Sequence, residues 1–133
     1  MAGMKAALAV LLLLLAPGPA HSAGLTVRTG ETWFFTIKDG EPANARRVGP
    51  SAKIPKGQIK VSVRPLMGTS MVVTNNSPIA YTFRAELLSG GKATVARSCT
   101  LPANARPAFE QWQEKAEAVR ISGFKVAAAD GRC

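Results

Sequence analysis

The 133-residue sequence holds a single histidine, His21, and only two cysteines, Cys99 and Cys133. His21 falls within the N-terminal leader read below. The rest of the chain therefore has no imidazole to serve as general base, as partner to a nucleophile or as metal ligand. The cysteines stand far apart instead of as Cys-x-x-Cys, which argues against a redox pair, and two sulfurs alone cannot build a thiolate zinc site. Neither a metal nor another cofactor is expected. Acid is scarce as well, with eight Asp and Glu against seventeen Lys and Arg. A paired-carboxylate hydrolase is the one enzymatic design left open, drawing on Asp39, Glu41, Glu86, Glu110, Glu114, Glu117 and Asp130. The close spacing of Glu110, Glu114 and Glu117 reads more simply as surface charge on a helix. The expected protein is not an enzyme.

Long apolar runs are absent except for one. In "MAGMKAALAVLLLLLAPGPAHSAG" a lone charge, Lys5, precedes an apolar stretch from Ala6 to Ala16, which Pro17, Gly18 and Pro19 end. The stretch is shorter than the roughly 20 residues that a membrane-spanning helix needs, and the order of parts is that of a secretory signal peptide. Cleavage after Ser22 would remove residues 1–22 and leave 23–133 as one domain with no transmembrane segment. The abundance of Ala, Gly, Pro and Arg, whose codons are rich in G and C, points to a bacterial source. A periplasmic or secreted location follows.

Export to an oxidising compartment gives the two cysteines a purpose, since a Cys99–Cys133 disulfide would staple the C-terminal third. Period-two patterning dominates the middle of the chain. "ETWFFTIKDG" is β-branched and aromatic and ends on the Asp39-Gly40 turn signal. "GQIKVSVRP" alternates Ile59, Val61 and Val63 with Lys60, Ser62 and Arg64. "SPIAYTFRAELLSGG" sets Ile79, Tyr81, Phe83, Ala85 and Leu87 on one face before a Ser-Gly-Gly turn. "TSMVVTNNS" and "KATVARSCTL" flank it, completing an apparent antiparallel meander in which Cys99 shares the inward parity of Val95 and Leu101. The exception is "RPAFEQWQEKAEAV", where Phe109, Trp112, Ala116 and Val119 recur at helical spacing after Pro107. It predicts a short helix or helical turn near 107–117. "AVRISGFKV" then alternates again, with Gly123 at a bulge. The fold class expected is all-β: a small antiparallel β-sandwich of six to seven strands, immunoglobulin-like in outline. Only the outline applies, because Trp33 precedes both cysteines.

Base is plentiful, and it clusters. Between Pro42 and Pro65 lie Arg46, Arg47, Lys53, Lys56, Lys60 and Arg64 without one acid, in a proline-punctuated stretch that reads as an exposed loop leading to a strand at Ile59. Such a surface attracts an anionic partner: an acidic envelope protein, an anionic polymer or lipid head groups. Nucleic acid is not expected, because no aromatic residue interleaves the cations to stack on bases. Solvation of an edge strand is the bland account of the same charges. Met67 and Met71 are the only methionines outside the leader, and core or loop packing explains them better than copper. The expected role is that of a non-catalytic binding or accessory protein of the cell envelope. Thiol reduction of the exported form should lower its unfolding free energy by about 3.5 to 4 kcal/mol, the loop-closure value for a bridge of this span. Urea unfolding with and without reductant measures it, and superimposable curves would remove the staple.

Overall fold

The computed structural model describes residues 24–128. The expected leader, residues 1–22, and Cys133 lie outside the described residues, and the bridge to Cys99 with them. Nine strands form among the described residues: β1 (Leu25–Arg28), β2 (Thr32–Lys38), β3 (Glu41–Val48), β4 (Ile59–Arg64), β5 (Thr69–Asn75), β6 (Tyr81–Ser89), β7 (Lys92–Ala96), β8 (Pro107–Trp112) and β9 (Ala118–Val126). They make two antiparallel sheets, one of four strands in the order β1-β9-β6-β7 and one of five in the order β3-β2-β4-β5-β8. The two pack as a sandwich. Its core is a single cluster to which the five-stranded sheet gives Phe35, Val61 and Val73 and the four-stranded sheet gives Val27, Ala85 and Ile121.

The expectation of a β-sandwich holds, with corrections in its detail. The strands number nine, not six or seven. The strand order is not that of an immunoglobulin domain, whose sheets are ABED and CFG; here the first strand pairs with the last. The meander also breaks, because β4 and β5 share one sheet while β6 and β7 share the other. Most of the alternation is nonetheless legible: Ile59, Val61 and Val63 on β4 and Phe83, Ala85 and Leu87 on β6 are all buried. Val95 does not follow suit, being 60 % exposed, and β7 ends before Cys99.

No helix occurs among the described residues, and the one expected near 107–117 is strand β8 followed by a bend. Ala108, Glu110 and Trp112 point inward opposite Val73, Met71 and Thr69 of β5, while Pro107, Phe109 and Gln111 point outward. The inward set thus contains a carboxylate and the outward set a phenylalanine. That inversion hid the period of two. Pro107 suits the first position of a strand as well as the first turn of a helix.

Two hairpins follow their turn signals. Asp39-Gly40 and Gly90-Gly91 are two-residue loops with all four φ angles positive, at 51°, 79°, 55° and 80°, the mirror-image turn that suits strand twist. The first hairpin also closes one end of the sandwich. Between the pairs Thr82↔Lys125 and Arg84↔Ser122, β9 has one residue more than β6, a bulge at Gly123-Phe124. Its two released N–H groups donate to the hairpin: Gly123 N to Glu41 Oε2 at 3.2 Å and Phe124 N to Gly40 O at 2.7 Å. Phe124 then sits between the sheets, stacked on Phe83 at 5.3 Å and tilted against Phe35 at 5.7 Å.

Gly68, in the β4–β5 turn, has φ of 99°, and a Cβ there would lie 2.3 Å from the Trp112 carbonyl oxygen. Both the backbone conformation and the contact demand glycine. Gly68→Ala should therefore cost about 2 kcal/mol or more, read as a lower urea midpoint. An unchanged midpoint would mean that β8 does not lie this close to the turn.

Candidate functional site

The basic segment is a loop only in part: residues 49–58 lie outside the strands and lead to β4 at Ile59, as its prolines suggested, but the rest is strand. Its first part is strand β3, at the edge of the five-stranded sheet and paired with β2. Since β3 and β4 both run antiparallel to β2, they are parallel to each other, and residues 49–58 must carry the chain back along the sheet between them. This crossover passes over the outer face, where Lys60 Nζ donates to Pro50 O at 2.7 Å and to Ala52 O at 3.2 Å. Asn76 fastens its far end, donating from Nδ2 to Ile54 O at 2.9 Å and from N to Gln58 O at 2.9 Å. The prolines supply no N–H, and the exposed carbonyls of the segment find these donors instead.

The sheet register aligns the outward side chains in rows. Arg46, Phe34, Lys60 and Thr74 form one row from β3 to β5, and Thr32, Ser62, Val72 and Phe109 form the next from β2 to β8. Arg64, Ser70 and Gln111 form a third. No residue in these rows is acidic. Phe34 is only 3 % exposed although it faces outward; the Arg46 guanidinium lies 5.1 Å from its ring centroid, and the crossover passes over its neighbour Lys60.

The six sequence-predicted cations share neither one face nor one role, since Arg47 alternates with the outward Arg46 and lies on the Trp33 side of the sheet. Lys60 is committed to the crossover and Arg46 to Phe34. Arg47 pairs with Glu31 at 3.5 Å. Lys53, Lys56 and Arg64 are exposed and make no ion pair among the described residues. Arg64 borders a 230 Å³ groove between Ile54 of the crossover and Val72 and Thr74 of β5, and Lys56 borders a 500 Å³ cleft with Asn76, Ser77 and Asn104.

No family model matches the chain, and neither a curated protein nor a solved structure matches it significantly.

The carboxylates are dispersed. Glu31 was overlooked in the sequence, where nothing set it apart, yet it binds Trp33 Nε1 at 3.0 Å and the Arg28 backbone N–H at 3.1 Å. Its hydrogen bond from Trp33, aided by the backbone donor and by Arg47, holds its pKa below the usual carboxylate value. Glu86, on the outer face of the other sheet, is held low chiefly by the Arg120 hydrogen bond at 2.9 Å, with Arg84 adding to it. Glu31 and Glu114 line separate cavities, so neither has the other as an acid–base partner. No group of three metal-ligating side chains occurs among the described residues. Met71 is fully buried while Met67 is 82 % exposed, so the two sulfurs share no site. Asn75-Asn76-Ser77 matches the acceptor pattern for N-glycosylation, but Asn75 is fully buried with Nδ2 donating to Ile79 O and Pro102 O, so its amide is engaged within the fold.

Glu110 is the carboxylate with the opposite shift. Burial raises its pKa, offset in part by the hydrogen bond it accepts from Cys99 N. A raised folded-state value means the folded protein binds the proton more tightly than the unfolded chain. The favourable contribution is then full below the unfolded value of 4.5 and lost as pH rises through the folded one. Glu110→Gln keeps an oxygen acceptor for Cys99 and removes the ionisation. Its stability relative to the parent should therefore rise steadily from acid to neutral pH in urea titrations; parallel pH profiles would contradict this.

Proposed function

We propose that this chain is an exported, non-catalytic binding domain that docks an anionic component of the bacterial cell envelope on the outer face of its five-stranded sheet. The observation that carries the reading is the charge of that face. Cations project from β3, the crossover and β4, and none of the three outward rows holds an acid. On the opposite sheet Glu86 sits between Arg84 and Arg120 and answers part of the positive charge, while Lys92 and Lys125 stay exposed there as well. Three of the cations on the docking face, Lys53, Lys56 and Arg64, are unanswered, and uncompensated charge of one sign supports long-range attraction of an opposite partner. Lys60 and Arg46 support the surface from within and are not assigned to the partner.

The combined variant Lys53→Gln, Lys56→Gln and Arg64→Gln tests this without disturbing the crossover. Protein capture from envelope extract should yield a partner at low salt that is lost at moderate salt and absent with the variant. A partner that survives both changes would place docking elsewhere, on a surface chosen by shape or apolar contact.

A further inference from the structure

The same face carries a second, apolar feature. Leu66, Met67 and Phe109 are 56 %, 82 % and 71 % exposed, and local hydrogen bonding gathers them at one corner. The β4–β5 turn curls over the outer face, where Gln111 Nε2 donates to Leu66 O at 3.0 Å and to Met67 O at 2.7 Å. Ser70 Oγ, beside Gln111 in the third row, donates to Gln111 Oε1 at 3.1 Å and lies 3.4 Å from Leu66 O. Phe109 is two residues before Gln111 on the same side of β8, paired with Val72. Arg64, immediately before the turn, points to the same side.

Resting on the reading above, we propose that the anionic partner is a lipid surface: the Leu66-Met67 turn and Phe109 enter the interfacial zone of an acidic bilayer while Arg64, Lys53 and Lys56 meet its head groups. Two physical arguments favour a bilayer over a protein. Leu66 and Met67 project from a turn, and a fluid interface accepts a projecting apolar tip without a matching hollow. The Leu66 and Met67 carbonyls already accept from Gln111, so moving this tip towards hydrocarbon strands neither of them. Charge supplies the preference for acidic lipid, each cation near such a surface adding to the attraction. No described helix is long and apolar enough to cross a membrane, and the contact proposed is peripheral.

The test is flotation of the purified oxidised protein with vesicles of phosphatidylcholine alone or mixed with phosphatidylglycerol. Binding is expected to the mixed vesicles only. It should fall about tenfold or more in the Leu66→Ser, Met67→Ser double variant and in Phe109→Ser, since each loses an apolar contact. Val95→Ser, which removes an exposed apolar side chain from the other sheet, should float as the parent does. Circular dichroism confirms that each variant is folded. Equal flotation of parent and turn variants, or none by the parent, overturns the lipid assignment. A parallel column of immobilised polyglutamate separates the two readings. Retention there that needs Lys53, Lys56 and Arg64, without flotation, leaves an acidic polypeptide as the partner; retention on neither surface defeats both.

Discussion

The constraint on which the candidate site depends is topological. With β2 lying between β3 and β4, the chain must return along the sheet, and the ten residues from Gly49 to Gln58 have only the outer face to cross. A strand-free crossover brings carbonyls close to a sheet surface, where lack of a donor would cost about 1–3 kcal/mol each. Lys60 and Asn76 answer that cost. One of the most suggestive cations of the basic segment is thereby a structural donor, and the segment it holds presents Lys53 and Lys56 to solvent.

The other end of the sandwich uses a different device to the same purpose. A bulge in β9 frees two backbone donors, and the β2–β3 hairpin tip supplies Gly40 O and Glu41 Oε2 to receive them. The two sheets are thus joined by hydrogen bonds as well as by the Phe35, Phe83 and Phe124 cluster. β3 is held through β2 along one side and, by its hairpin, against β9. A cationic edge strand anchored in this way can keep its side chains in solvent without fraying, and its charge guards the sheet edge against pairing with another chain.

Legibility in the sequence followed apolar alternation. β4 and β6 were readable because their inward residues are aliphatic or aromatic and their outward ones polar. β3 was not, since an edge strand without a buried apolar face has no period to display. β8 was misread for the opposite reason: Phe109 faces water and Glu110 faces the core, and the apolar residues that remain fall at helical spacing. Of the candidate site, the six cations were legible as a cluster, but their division into committed and available groups was not. That division rests on Pro50 O, Ala52 O, the Phe34 ring and Glu31, partners eight to sixteen residues away whose positions only pairing defines.

By itself the sequence determined that the described domain would be all-β, that Asp39-Gly40 and Gly90-Gly91 would turn, and that the chemistry of imidazole lay outside it. These follow from local causes: side-chain alternation, the freedom of glycine at positive φ, and composition. Tertiary structure alone decided which sheet each strand joined, that a basic stretch would arch over its own sheet, and that Leu66, Met67 and Phe109 would gather on the cationic side. Pairing register and crossover direction are long-range choices, set by which faces can be buried together, and no short window of residues contains them.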